Sequence, residues 1–166
     1  MAASIWYHMT KLTLPIVAAA TLLITADRPL AQTAAPAGAT FDQALATQVG
    51  ADEHGMRNYV LVILKTGPTK VPAGPERDEM FRGHMANIAR LSKEGKLALA
   101  GPFGGDDTWR GLFVLAVGEI EEAKRLVATD PVIARGEMIA EYHPFYGSAA
   151  LMLVPGTHEK IARKSF

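Results

Sequence analysis

The sequence predicts an α+β domain with the element order βαββαβ. Three observations lead to this prediction. Short aliphatic and β-branched runs are bounded by Gly and Pro, two longer segments repeat their apolar residues at helical spacing, and the two kinds of segment alternate in that order. The chain has 166 residues, of which 49% are hydrophobic and 20% charged. This composition is ordinary for one soluble folded domain.

The first strand and the first helix have the clearest patterns. Residues 58–65 are aliphatic or β-branched almost throughout, and a Thr-Gly-Pro turn follows them. A run this short and apolar is typical of a buried strand. Residues 76–94 come after two further prolines and are predicted to form an amphipathic helix. The residues that share its inner face are Met80, His84, Ile88 and Leu91.

The second half of the pattern is a hairpin, a helix and a strand. Residues 97–101 and 111–117 are apolar and are separated by enough turn formers to return the chain antiparallel. Residues 119–128 are acidic at the start and basic further along, which favours a second amphipathic helix. An Asp-Pro pair ends it. Residues 136–143 are predicted to form the last strand.

The order βαββαβ, with right-handed crossovers, predicts the ferredoxin-like arrangement, in which both helices cover one face of an antiparallel sheet. Residues 58–65 and 112–117 are apolar on both faces of their strands. Because two helices cover only one face, we expect the other to meet the sheet of an identical subunit in a homodimer. The alternative is that the linker or the tail after Tyr146 folds over it.

The start of the chain has the pattern of an export signal. We expect residues 1–35 to be a signal peptide, because Lys11 precedes the apolar run 12–26, which is short for a spanning helix and is followed by small residues. Met9 would give a more usual charged start than the first residue. The mature protein is therefore expected in the periplasm or outside the cell. A retained membrane anchor is the alternative.

The rest of the chain divides by composition. Residues 36–57 are rich in Ala, Gly, Thr and Gln and are predicted to be a linker with at most one short helix near residues 41–48. The folded domain is predicted at residues 58–146. Residues 147–166 form a C-terminal extension.

Charge and cysteine content exclude several classes of function. Seventeen basic residues balance seventeen acidic ones, so neither nucleic acid nor, after signal cleavage, a membrane is an expected partner. The absence of cysteine excludes disulfides, iron–sulfur clusters and thiolate zinc sites. The histidines lack metal-motif spacing, and no phosphate loop or dinucleotide fingerprint occurs. We therefore expect no metal and no cofactor.

Four residues are candidates for a functional site. His84 places an imidazole on the helix face that meets the sheet, although a packed core histidine is the alternative. Asp130 precedes a proline after the second helix and is equally typical of a capping residue. Trp109 and Arg110 lie in a glycine-rich hairpin loop that could form the rim of a substrate pocket, or merely a solvated tip.

Together, these segments resemble the YciI-like (YCII-related) family over residues 58–146. The resemblance implies a dimeric α/β-barrel of two ferredoxin-like subunits packed sheet to sheet. It also implies a His–Asp pair in a cleft, which maps onto His84 and Asp130. Some relatives act on small aromatic or muconate-like compounds, so no single substrate is implied. The export segment and the tail depart from the short members. The matching segments are residues 59–64, 84–91, 95–102, 110–114, 121–123 and 130–131.

Two functional hypotheses follow. The first is a cofactor-independent lyase or isomerase acting on an unknown small molecule, with His84 as general base and Asp130 orienting it. The second is a non-catalytic ligand-binding or sensing dimer. A purely structural role has no residue in its favour. The enzyme requires an imidazole that is open to a pocket, whereas the binding module is compatible with a fully packed His84 or with ring nitrogens bonded to backbone. A separation above about 7 Å, beyond one bridging water, would remove the pair.

Overall fold

The structure is a computed structural model that describes residues 40–105 and 108–164. The predicted signal peptide lies outside the described residues, as do the two aspartates of the hairpin loop. Among the residues that are described, none of the helices combines the length and the apolar character needed to cross a bilayer.

Four antiparallel strands form one sheet in the order β2-β3-β1-β4. The predicted α+β fold is confirmed, and this strand order is compatible with the ferredoxin-like arrangement. The strands are β1 (Met56–Thr66), β2 (Leu97–Pro102), β3 (Trp109–Leu115) and β4 (Met138–Ser148). The helices are α1 (Gln43–Val49), α2 (Pro75–Lys93), α3 (Ile120–Val127), α4 (Pro131–Ala134) and α5 (Val154–Ile161), with a 3₁₀ helix at Ala149–Leu153.

The main core lies between the sheet and the helices α2, α3 and α4. Val60, Val62 and Leu64 point to this side from β1, because alternate residues of a strand share a face. Fully burying one such side chain contributes about 1.5–3 kcal/mol. Their partners from the other elements include Met80, Leu91, Phe113, Leu115, Val127 and Val132.

The second face of the sheet is covered at one end by the chain's own tail. Leu151 and Met152 of the 3₁₀ helix pack against a small core that contains Tyr59 and Val114. The Tyr59 hydroxyl donates a hydrogen bond of 2.9 Å to the Ser148 carbonyl. The alternative that the tail folds over this face is therefore correct at this end.

Helix α1 forms within the segment predicted as a linker. Asp42 caps its first turn by accepting from the Leu45 N–H at 2.9 Å, and Gly50 ends it in the left-handed conformation. Arg57 of β1 donates to the Val49 carbonyl at 2.8 Å. This bond ties the end of α1 to the sheet.

The other end of the second face stays open in the single chain. Leu61 and Leu112 lie at the edge of the small core and are only partly buried, and Ile139 of β4 is 48% exposed. Leu61 lies on this face, whereas its neighbour Val62 lies in the helix-covered core. The open surface is compatible with the homodimer, which remains a prediction.

Two features of the chain differ from the sequence prediction. The last strand continues five residues beyond 143, because β4 pairs with β1 along the whole length of both strands, as far as Met56 opposite Ser148. Helix α4 was not predicted, since the Asp-Pro pair that ends α3 also begins the next short helix at Pro131.

Candidate functional site

The candidate site lies where α2 meets the start of α4. Helix α2 begins at Pro75, a residue suited to the first helical position, and has acidic residues in its first turn. His84 lies near the middle of this helix, and Asp130 is the residue that precedes α4. His84 Nδ1 lies 2.7 Å from Asp130 Oδ2. The structure therefore brings these two residues into direct contact.

Asp130 is fully buried, with 0% exposure, and both of its carboxylate oxygens have donors. Oδ1 accepts from the Val132 N–H at 3.1 Å and thereby caps α4. Oδ2 accepts from His84 Nδ1 and, at 3.3 Å, from Asn87 Nδ2. Buried carboxylates need such donors to offset lost hydration. Asp130 is thus both the capping residue of the alternative interpretation and the partner of His84.

A glycine allows the two helices to approach at this point. Gly83 immediately precedes His84, and Pro131 immediately follows Asp130. A Cβ atom placed on Gly83 would lie 2.8 Å from Pro131 Cγ, which is too close for two carbon atoms. The absence of a side chain at residue 83 therefore lets α4 lie against α2 and bring Asp130 to His84.

The His84 ring is held between aromatic neighbours, and its side chain is 12% exposed. It stacks on Phe113 with centroids 6.0 Å apart and meets the ring of Phe81 edge-on at 6.2 Å. Because an ionised carboxylate can only accept, Nδ1 donates and Nε2 is the acceptor in the neutral ring. Among residues 40–105 and 108–164, Nε2 has no hydrogen-bond partner and is not a buried atom. One nitrogen is therefore open to a proton on another molecule.

A second buried carboxylate, Glu137, lies just before β4 and is 3% exposed. Its Oε1 accepts from Arg77 Nη1 at 2.6 Å, and its Oε2 accepts from the Val71 N–H at 2.7 Å. The Arg77 guanidinium also lies 4.8 Å from the centroid of the Phe81 ring. Burial raises the pKa of Glu137, but the Val71 and Arg77 bonds and the charge of Arg110 outweigh it and hold the pKa below the ordinary 4.5.

The comparison with known families identifies the domain. A family model for the YCII-related domain matches residues 58–145. The chain belongs to this family. The match includes the two members of the His84–Asp130 pair and the hairpin residues Trp109 and Arg110. No curated protein matches the chain at a significant level.

The elements that cover the second sheet face are additions to the YCII-related domain. Helix α1 ends before residue 58, and the 3₁₀ helix and α5 begin after residue 145. These additions contact each other and the sheet through residues such as Arg57, Leu151 and Met152. The chain therefore carries its own partial cover for a face that the YCII-related domain alone would leave bare.

The predicted substrate-binding residues lie apart from the pair. Trp109 is half exposed and packs against Phe103, with ring centroids 5.4 Å apart. These two rings, with Gly104 and Thr108, line a shallow depression of about 230 Å³. His84 is not one of the described residues that line it. The structure does not bring Trp109 together with the His84–Asp130 pair, and Arg110 is linked to Glu137 by charge alone.

Sequence reasoning missed two further polar residues of this region, Asn87 and Glu137. Asn87 lies three residues after His84, on the same side of α2, and this spacing is the signal that could have found it. Glu137 gave no comparable signal, because a glutamate at the start of an edge strand is usually solvated. Within the described ranges, no three His, Asp or Glu residues are arranged to hold a metal ion.

Proposed function

We propose that this YCII-related protein is a cofactor-independent enzyme of the lyase or isomerase type that acts on a small organic molecule. His84 is the general base, and Asp130 holds its ring. The observation that supports this proposal is the 2.7 Å contact between His84 Nδ1 and the buried Asp130 carboxylate, with Nε2 left open. The protein acts after export, as a homodimer.

The chemistry follows from the two ring nitrogens. Nε2 accepts a proton from a carbon next to an electron-withdrawing group, and the ring becomes an imidazolium whose Nδ1–H is already bonded to Asp130. Return of the proton to a different carbon completes an isomerisation. Loss of a leaving group from the neighbouring carbon, with the electron pair of the broken C–H bond forming a double bond, completes an elimination. General-base help of this kind is worth about 10²–10⁴ in rate.

The first test measures the reactivity of the His84 ring without a known substrate. Diethyl pyrocarbonate acylates the accessible nitrogen of a neutral imidazole, and peptide mass spectrometry identifies each modified histidine. We expect His84 to be acylated in the folded protein, with the exposed His54 and His143 as internal controls. Asp130→Asn should slow acylation of His84 and leave both controls unchanged. Equal rates in this variant and in the wild type would contradict a ring oriented by Asp130.

The second test measures catalysis directly. A panel of small carbonyl compounds with acidic C–H bonds is incubated with the protein in deuterated water, and exchange or elimination is followed by NMR. His84→Ala should abolish the reaction in a protein that still folds, which circular dichroism checks, and Asp130→Asn should reduce it less, because an amide keeps the shape of the pair. Turnover that survives His84→Ala would remove the proposed base.

The binding module remains a second candidate because the shallow depression at Phe103 and Trp109 lies apart from His84. A ligand that stacks on these rings need not meet the imidazole. Trp109→Ala should then abolish binding of the ligand while His84→Ala leaves it unchanged. The enzyme proposal predicts the opposite, namely that His84→Ala reduces turnover more than Trp109→Ala does.

The dimer is proposed to use the open part of the second face around Leu61, Leu112 and Ile139. Leu61→Asp places a charge on this surface and should give a folded monomer by sedimentation. Val62→Asp is the matched comparison, one residue away, and should unfold the chain because Val62 is fully buried under the helices. A wild-type chain that sediments as a monomer at micromolar concentration would contradict the dimer.

A further inference from the structure

Asn87 is a buried polar residue of α2 that contacts the candidate pair without touching the open ring nitrogen. It is 7% exposed and lies one turn after His84. Its Nδ2 donates to Asp130 Oδ2 at 3.3 Å, the same oxygen that accepts from His84. Asn87 is therefore placed to act on His84 through Asp130.

The orientation of the Asn87 amide follows from its other neighbours. Oδ1 lies 2.8 Å from Arg90 Nη2 and 3.0 Å from Thr129 Oγ1. A guanidinium has only donors, so the amide atom that faces Arg90 must be the oxygen. The amide nitrogen is consequently the atom that faces Asp130. Both Nη atoms of the guanidinium are occupied, since Nη1 donates to the two Glu94 carboxylate oxygens at 2.9 and 3.0 Å.

The Asp130 carboxylate is held at two points as a result. The Val132 N–H of α4 fixes Oδ1, and Asn87 Nδ2 of α2 fixes Oδ2. With only the first contact, the carboxylate can turn about its Cβ–Cγ bond, and Oδ2 then moves away from the His84 ring. Both contacts together keep Oδ2 in line with Nδ1.

We propose that Asn87 is a positioning residue, which fixes the Asp130 carboxylate and so keeps the proton of the neutral His84 ring on Nδ1 and the acceptor on Nε2. This inference rests on the proposed general-base function and adds a residue to it. A purely structural Asn87, which only joins α2 to Thr129, would leave the His84 ring unaffected when replaced in a folded variant.

The test is the exchange of the His84 Nδ1 proton with water, measured by ¹⁵N-edited NMR on the full chain and assigned by its loss in His84→Gln. Asn87→Leu should accelerate this exchange about tenfold, since a hydrogen bond to a charged group is worth at least that ratio. It should also slow acylation of His84 by diethyl pyrocarbonate. Arg82→Gln is the matched control, because Arg82 is an exposed residue of α2 that pairs with Glu79. This control should change neither rate.

Each result bears on the inference. Unchanged exchange in folded Asn87→Leu overturns it. Where Asn87→Leu does not fold, Arg90→Met serves instead, because it removes the Nη2 donor that fixes Asn87 Oδ1, and a smaller acceleration supports the inference while none overturns it. If Asn87→Leu accelerates exchange of the Nδ1 proton but turnover survives His84→Ala, the positioning role holds and the proposed function is wrong.

Discussion

The two carboxylates that are buried among the described residues have similar surroundings and different partners. Asp130 and Glu137 are both almost completely buried, and each accepts from a backbone N–H of the turn or loop beside it. Each also lies within 2.7 Å of a cationic or titratable side chain on α2. For Glu137 this partner is Arg77, and for Asp130 it is His84.

The two partners differ in whether they can exchange a proton near neutral pH. An arginine keeps its proton at any pH that a folded protein experiences, so its pair with Glu137 can only hold the loop before α2 against β4. A histidine exchanges its proton near neutral pH, so the same geometry at Asp130 orients a group that can act on another molecule. Burial and hydrogen bonding alone therefore do not distinguish the two carboxylates, whereas the chemistry of the partner does.

The largest expected effect on stability is at Gly67, which lies beside Glu137. Gly67 donates its N–H to the Glu137 carbonyl at 2.9 Å, and a Cβ atom on Gly67 would lie 2.1 Å from the Gly136 carbonyl oxygen. Gly67→Ala should lower the free energy of unfolding by about 3 kcal/mol, because two backbone segments must separate. Urea denaturation measures this loss. Acylation of His84 in the remaining folded protein should keep its wild-type rate, and a slower rate would show that the two centres are coupled.

A smaller effect is expected for Glu137 itself. Glu137→Gln leaves the Arg77 charge without its partner and should lower the free energy of unfolding by about 2 kcal/mol at pH 7, since Arg77 is partly solvated. Glu141→Gln is the matched control, four residues further along the chain in β4. Its ion pair with Lys65 is exposed and should contribute far less. Equal losses in the two variants would contradict a special role for burial.

The loss of stability in Glu137→Gln should depend on pH. Because the pKa of Glu137 is held below its ordinary 4.5, its contribution to stability is complete above pH 4.5 and is lost as the pH falls through the lower value of the folded state. The stability difference between wild type and Glu137→Gln should therefore shrink in acid. Unfolding curves between pH 7 and pH 3 test this. A difference that is independent of pH would mean that the carboxylate is not ionised in the fold.

The comparison also shows what could be predicted from the sequence. The α+β fold came from aliphatic runs and helical spacing, which are local properties of the chain. The family came from the resemblance of short segments such as residues 84–91 and 130–131. The placement of His84 on the inner face of α2 came from the same spacing. Helix α4 was missed because four residues have no periodicity. The cover of the second face by the tail was only an alternative to the dimer, because it depends on contacts such as Arg57 with Val49 and Leu151 with the sheet. Glu137 and Asn87 were missed because their burial is decided by tertiary packing.

The smallest effect on stability and the clearest effect on the site are expected at Gly83. In the interior of α2, Gly→Ala is favourable by about 0.8–1 kcal/mol through helix propensity. The new Cβ atom would meet Pro131 Cγ at 2.8 Å, and relief of that contact costs a similar amount, since overpacking typically costs about 1–3 kcal/mol. Because only the Cγ atom at the tip of the proline ring is met closely, the cost lies at the lower end of that range, and the free energy of unfolding should change by no more than about 1 kcal/mol.

The site should nevertheless respond to Gly83→Ala, because the displaced atom belongs to the residue next to Asp130. Movement of Pro131 away from α2 takes the Asp130 carboxylate with it and lengthens the 2.7 Å contact with His84 Nδ1. Acylation of His84 should therefore slow, and its Nδ1 proton should exchange faster, in a protein that unfolds at nearly the same urea concentration. Gly67→Ala should show the opposite combination, a large loss of stability with an unchanged ring. If Gly83→Ala leaves both His84 rates at their wild-type values, the close approach of α4 to α2 does not determine the geometry of the pair.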